Sequence, residues 1–134
     1  SEMSIRGRLQ MDSDFHFVPM NDVLFDLQRK IILDAAEKED CVIVGRCANH
    51  ILDNKCLSVF IHAPFEYRVQ TVIERTGREE KSAQKLVKKV DKERRTYYEY
   101  FTDKKWKDIS QYHLAFDSSK FEQDKIIQMI KMAL

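Results

Sequence analysis

The stretch CVIVGRCANHIL, residues Cys41–Leu52, holds the pattern from which the fold is best inferred. Cys41–Val44 is a continuous apolar run, which is typical of a strand covered on both faces of a parallel sheet. The run stops at Gly45 and Arg46, although glycine is a poor strand former and arginine is rarely buried. We therefore predict a strand over Cys41–Val44, a sharp turn at Gly45 and a crevice into which Arg46 projects. The planar guanidinium suits the binding of a phosphate group there, and a salt bridge to a nearby carboxylate is the structural alternative.

Helix and strand patterns alternate along the rest of the chain. Two further apolar runs, Leu57–Ile61 and Tyr112–Phe116, predict a second and a third strand. Helices are predicted over 21–39, from Pro64 to Thr76, over 82–101 and around 126–134. Strands that alternate with helices of this length imply an α/β layered domain.

The composition is that of an ordinary globular protein, with 43% hydrophobic and 34% charged residues among 134. The net charge of +1 argues against a protein that coats nucleic acid over its whole surface. No apolar run reaches the roughly 20 residues of a membrane span, so no membrane partner is expected. Three cysteines without a CxxC pair predict no zinc site and favour free thiols in a reducing cytoplasm. Only three glycines are present, so the sequence cannot build a Gly-rich phosphate loop.

The long predicted helix carries a charged residue on an otherwise apolar face. Arg94 shares that face with Val87, Val90, Tyr97 and Phe101. A charge on the buried side of a helix needs a partner or a ligand, and a local ion pair with Asp91 is the structural alternative.

The segment that contains this helix is also rich in positive charge. Residues 68–95 contain ten Lys or Arg and five Asp or Glu. Such a segment can close over a polyphosphate or bind a nucleic-acid backbone, and a solvated helix face is the structural alternative.

Taken together, these segments resemble the cytidylate kinase-like family of nucleoside monophosphate kinases. The resemblance covers roughly residues 21–134 and lies in CVIVGRCANHIL, LSVFIHAPFEYRV, VDKERRTYYEYFTDKKW and YHLAFDSS. It implies a three-layer α/β/α domain with a parallel sheet, as in P-loop nucleoside monophosphate kinases. The family's first strand and phosphate loop should precede residue 21, and nothing in residues 1–20 resembles them. We therefore expect an irregular N-terminal arm over 1–20, followed by a kinase-like domain over 21–134 that lacks the first strand and the loop.

The resemblance also assigns roles to individual residues. Gly45 and Arg46 would form the strand end that holds the acceptor phosphate. Asp91 and Arg94 would contact the acceptor nucleotide or its phosphate. The lid that surrounds the transferring phosphoryl group would be formed by Arg68, Arg75 and Arg78. Of these, Arg75 and Arg78 would be the catalytic residues.

The reaction implied by the resemblance is transfer of the ATP γ-phosphate to a nucleoside monophosphate, with CMP as the expected acceptor and Mg²⁺ accompanying ATP. We expect a cytoplasmic protein without a metal site of its own, and leave a homo-oligomer open. The alternatives are a non-catalytic module that binds nucleotide or nucleic acid, which the modest net charge disfavours, and a phosphotransferase with another small-molecule acceptor.

The absence of the first strand and the loop leads to two further expectations. We expect that the 134 residues are not a self-sufficient fold, because a missing central strand leaves buried backbone groups without partners. We also expect that this chain alone neither binds ATP tightly nor catalyses transfer.

Overall fold

The computed structural model describes residues 22–134, so the predicted arm over 1–20 lies outside the described residues. The helices are α1 Asp22–Lys38, α2 Ala48–Leu52, α3 Phe65–Thr76, α4 Glu80–Thr102 and α5 Gln123–Met132. The strands are β1 Val59–His62 and β2 Leu114–Asp117, and single 3₁₀ turns occupy Asp53–Lys55 and Ile109–Gln111. The chain is therefore a mixed helix and strand protein, as the alternating patterns predicted.

The sheet formed by the described residues consists of β1 and β2, which pair in parallel with Val59 opposite Leu114. Both strands begin two residues later than predicted. The backbone N–H of Ser58 donates to Nδ1 of His113 at 2.9 Å, and the Ser58 hydroxyl donates to the carbonyl of Gln111 at 3.1 Å. The Ser58 carbonyl already accepts from the backbone N–H groups of His113 at 2.8 Å and Leu114 at 3.2 Å. The regular ladder starts after Ser58, whose own N–H is bonded to a side chain.

The predicted strand over Cys41–Val44 is wrong. This segment is not part of the sheet that the described residues form. Val42 and Val44 are 68% and 44% exposed, whereas Ile43 packs against the core cluster of α1 and α2. The segment thus partly buries the side chain of Ile43 on one side and exposes those of Val42 and Val44 on the other. Apolar side chains alone do not supply the neighbouring backbone that a strand requires.

Helix α1 was predicted correctly, but its buried face differs from the most apolar one. Its buried residues are Gln28, Ile32 and Ala35, whereas Leu27 and Ile31 are exposed. Burial on this helix is therefore decided by what α1 packs against and not by side-chain hydrophobicity alone.

Helix α3 lies between the two residues that predicted its ends. Pro64 stands at the N-cap position, and Gly77 adopts φ +73° at the C-terminus, where its N–H donates to the carbonyl of Ile73 at 2.8 Å. A residue in this left-handed conformation ends the helix, and glycine adopts it at the lowest cost.

The chain divides into two compact units. Among the described residues, one comprises 22–56 together with Arg94–Trp106, and the other comprises Leu57–Glu93 together with Lys107–Leu134. Each has its own apolar clusters. The first unit contains two clusters, one built around Ile32, Ala48 and Leu52 and the other around Cys47, Tyr97 and Tyr98. The second unit contains a cluster built around Val69, Ala83 and Val87. Among the described residues, no helix is both long enough and apolar enough to cross a membrane.

Candidate functional site

The first unit contains a tight bend at the predicted turn. Gly45, Arg46 and Cys47 have φ angles of +73°, +59° and +57°. The N–H of Ala48 donates to the carbonyl of Gly45 at 3.2 Å, and α2 begins immediately. The turn predicted at Gly45 is confirmed. For a non-glycine residue, the left-handed region costs about 1–2 kcal/mol, so Arg46 and Cys47 are strained. Backbone strain of this kind persists only where the surrounding packing fixes it, and it is common at binding sites.

Arg46 is buried, with 5% of its surface exposed. Its guanidinium carbon lies 5.7 Å from the centroid of the Tyr97 ring, within the range of a cation–π contact. The Arg46 side chain also forms a hydrogen bond with the Tyr97 side chain. The buried Nε of Arg46 makes no hydrogen bond to the described residues. A buried guanidinium beside an aromatic ring has the charge and the donors to bind an anion such as a phosphate group.

The Tyr97 hydroxyl and the Cys47 thiol beside Arg46 both stay protonated at neutral pH. Burial raises the pKa of Tyr97 to about 12, and Arg46 acts in the opposite direction through its charge and its hydrogen bond. Burial likewise raises the pKa of the Cys47 thiol to about 12, again opposed by Arg46. At neutral pH the positive charge of Arg46 is therefore not neutralised by either group.

Arg94 belongs to the same unit. It is half-buried on α4, three residues before Tyr97 and four before Tyr98. Residues at these spacings lie on one face of a helix. Arg94 therefore lies on the same helix face as Tyr97, which contacts Arg46. The prediction that this otherwise apolar face carries a charged residue is confirmed.

The second unit contains an ion pair between two predicted site residues. Nη1 of Arg68 on α3 lies 2.9 Å from both carboxylate oxygens of Asp91 on α4. The Nε of Arg68 donates to the carbonyl of Ala63 at 3.0 Å, just after β1. Arg68 thus joins the carboxyl end of a strand to two helices. Ligands of α/β proteins commonly bind at this end of the sheet. The sequence did not reveal this pair, because the two residues lie on different helices and no local spacing connects them.

Arg75 and Arg78 lie at the junction of α3 and α4, and both are exposed. Nη1 of Arg78 donates to the hydroxyl of Ser82 at 3.0 Å, and its backbone N–H donates to Oγ1 of Thr76 at 3.3 Å. Gly77 separates the two arginines with a left-handed turn. The structure thus places both cations at a helix junction, and their predicted catalytic role stays a prediction.

The carboxyl end of β2 carries Asp117. Its Oδ1 accepts from the Ser119 hydroxyl at 2.6 Å and from the Ser119 N–H at 2.9 Å. These hydrogen bonds hold the pKa of Asp117 below its usual value. Among residues 22–134, no three His, Cys, Asp or Glu side chains lie close enough together to hold a metal ion.

Comparisons of the sequence with known proteins point to one family. The sequence pattern of the cytidylate kinase-like family matches residues 3–120. The chain is 30% identical over 117 residues to the cytidylate kinase of Methanococcoides burtonii, covering 87% of this chain and 65% of the relative. It is 26% identical over 111 residues to the cytidylate kinase of Methanopyrus kandleri, covering 75% of this chain and 58% of the relative. The chain thus spans 58–65% of the length of these two curated relatives.

A solved structure is similar as well. The crystal structure of an uncharacterized protein from Eubacterium ventriosum matches with a TM-score of 0.72 and 32% identity, covering 94% of this chain and 73% of that one. The family pattern covers most of the sequence, including all four segments that carry the motifs. The chain belongs to the cytidylate kinase-like family.

Proposed function

We propose that this chain forms the acceptor-binding side of a nucleoside monophosphate kinase, which transfers a phosphoryl group from MgATP to CMP or a related nucleotide. The observation that carries the proposal is Arg46, a buried arginine held in a strained bend beside Tyr97. A buried arginine has the charge and the donors that an anionic ligand requires, and backbone strain of this kind is common at binding sites. Membership in the cytidylate kinase-like family identifies a nucleotide phosphate as the expected anion.

The chemistry of phosphoryl transfer explains the residue types. The protein positions two phosphates and neutralises their charge, and arginine suits both tasks. We assign Arg46 and Arg94 to the acceptor phosphate, with Gly45 providing the turn. Asp91 is assigned to the acceptor nucleotide, and Arg68 fixes the orientation of its carboxylate.

Arg75 and Arg78 are assigned to the transferring phosphoryl group, since their exposed side chains at a helix junction can move toward a ligand. Mg²⁺ enters with ATP as part of the substrate. The fold proposed for this activity is the three-layer α/β/α arrangement of P-loop kinases. The sequence contains no Gly-rich loop for the donor phosphates, so the assignment concerns the acceptor side.

The proposal can be tested by calorimetric titration of the purified full-length protein with CMP, UMP, AMP, GMP and cytidine. We expect CMP or a closely related monophosphate to bind best and cytidine to bind much more weakly, because the arginines recognise the phosphate. Selective binding of UMP or AMP instead of CMP would change the acceptor but keep the function class. Failure of every nucleoside monophosphate to bind would overturn the proposal.

A second candidate, nucleic-acid binding, is favoured by one observation. Lys81, Lys85, Lys88 and Lys92 are all exposed and recur at four- and three-residue spacing along α4. Such a row can follow a phosphate backbone, and binding would then weaken steeply with salt. Titration of a labelled RNA oligonucleotide at about 50 and about 200 mM salt distinguishes nucleic-acid binding from mononucleotide binding. Strong and salt-sensitive retention without mononucleotide binding would favour this second function.

A further inference from the structure

Gln28 and Tyr97 form a polar chain behind Arg46. The Tyr97 hydroxyl donates to Oε1 of Gln28 at 3.0 Å, and the Arg46 side chain forms a hydrogen bond with Tyr97. All three residues are buried, and they come from α1, the bend and α4 of the same unit. We infer that Gln28 and Tyr97 are positioning residues, which hold the Arg46 guanidinium in the orientation that receives the acceptor phosphate.

The directions of the hydrogen bonds support this inference. The amide oxygen of Gln28 can only accept, so it takes the single proton of the Tyr97 hydroxyl. The lone pairs of that hydroxyl are then left for a donor, and the arginine side chain only donates. Gln28 therefore determines which way the hydroxyl points, and the hydroxyl determines where the guanidinium lies.

A flexible side chain needs such a constraint. Arginine loses more rotamer entropy than most residues when it is fixed, and a ligand that must fix it binds more weakly. Contact with the Tyr97 ring and the hydrogen bond to its hydroxyl restrict the guanidinium before any ligand arrives. The pKa of Tyr97, raised to about 12, keeps the hydroxyl protonated at neutral pH. The constraint is thus present throughout the physiological pH range.

The inference rests on the proposed function and is tested with Tyr97→Phe and Gln28→Leu in the full-length protein. Tyr97→Phe keeps the ring and removes the hydroxyl, whereas Gln28→Leu removes the acceptor that orients it. The matched control is Tyr98→Phe, which removes the hydroxyl of a similarly buried tyrosine one position along α4. The Tyr98 hydroxyl accepts from Nδ2 of Asn49 at 3.1 Å. Thermal unfolding is measured for each variant to compare stabilities.

The readout is the calorimetric Kd for CMP and for cytidine. We expect both test variants to weaken CMP binding about five- to tenfold, as for an indirect effect on one charge-assisted hydrogen bond. Cytidine affinity should not change, because cytidine carries no phosphate. The Tyr98→Phe control should bind CMP like the wild type, even if it unfolds at a lower temperature.

A double-mutant cycle with Arg46→Ala makes the test specific. If Tyr97 acts through Arg46, Tyr97→Phe has no further effect on CMP affinity in the Arg46→Ala background. If Arg46→Ala itself leaves CMP binding unchanged, the proposed function of Arg46 fails. If Arg46→Ala weakens binding while Tyr97→Phe and Gln28→Leu behave like Tyr98→Phe, the positioning role is wrong and the function of Arg46 stands.

Discussion

At the scale of single residues, the bend at Gly45, Arg46 and Cys47 places three consecutive residues at positive φ. A β-carbon built on Gly45 would meet no atom within 4 Å, so a larger residue there is penalised by its backbone conformation and not by crowding. Arg46 and Cys47 bear this penalty and are buried as well. The bend was predictable from the glycine, but the left-handed conformation of the next two residues was not, because neither type favours it.

The strain at Arg46 predicts an order of stability between two variants that both lack the guanidinium. We expect Arg46→Gly to be more stable than Arg46→Ala by about 1 kcal/mol, because only alanine carries a β-carbon that disfavours φ +59°. Urea denaturation measures the difference. Arg95, exposed within α4, is the matched control, and there glycine should be less stable than alanine by about 1 kcal/mol. Equal stabilities at position 46 would show that the bend relaxes.

Cys47 provides a prediction about reactivity and pH. Its pKa of about 12 leaves on the order of a thousandth or less of the thiol ionised at pH 8.5. Cys41 is partly exposed, so we expect iodoacetamide to modify it much faster than the buried Cys47 in the native protein. Labelling of Cys47 should speed up as the pH rises, because the thiolate fraction increases. Peptide mapping by mass spectrometry follows both sites, and equal labelling rates in the native state would contradict the burial of Cys47.

At the scale of secondary structure, the ends of α3 and the extent of α4 were predictable because Pro64, Gly77 and the helical spacing of apolar residues are local signals. The strand predicted at Cys41–Val44 was wrong, because strand formation depends on a neighbouring backbone that the segment itself does not encode. The same reason explains why Arg68 and Asp91 were assigned separately. Their contact is tertiary and leaves no periodic signature in the sequence.

The Arg68–Asp91 pair predicts measurable coupling between α3 and α4. The two side chains are 32% and 20% exposed, so the pair is less screened than a surface pair. We expect Arg68→Met and Asp91→Asn each to lower the free energy of unfolding by about 1–2 kcal/mol. In the double variant the losses should fall short of their sum by about 1 kcal/mol.

The control for this cycle is the exposed pair of Asp34 and Lys38, which lie 3.0 Å apart on α1. An exposed pair at this spacing is expected to couple by only about 0.3–0.5 kcal/mol. Equal coupling energies in the two cycles would mean that Arg68 and Asp91 form an ordinary surface pair.

At the scale of the whole molecule, the predicted site residues are divided between the two units. Arg46 and Arg94 belong to the first, and Arg68 and Asp91 belong to the second. The D-x-x-R motif of Asp91 and Arg94 therefore spans the boundary, which falls between consecutive residues of the continuous helix α4. Family membership was predictable from four short segments because their order and spacing are specific. The contacts that hold Arg46 were not, because they join α1, the bend and α4.

In the proposed function, Arg46 and Arg94 together bind the phosphate of a nucleoside monophosphate. This role is tested by calorimetric titration of CMP into the full-length protein and its Arg46→Ala, Arg94→Ala and Arg95→Ala variants. Each of the first two should weaken binding about ten- to a hundredfold, which is the loss expected for one charge-assisted contact. Arg95→Ala removes an exposed neighbouring cation and should bind like the wild type. Wild-type affinity in both the Arg46→Ala and Arg94→Ala variants would show that neither arginine binds the phosphate.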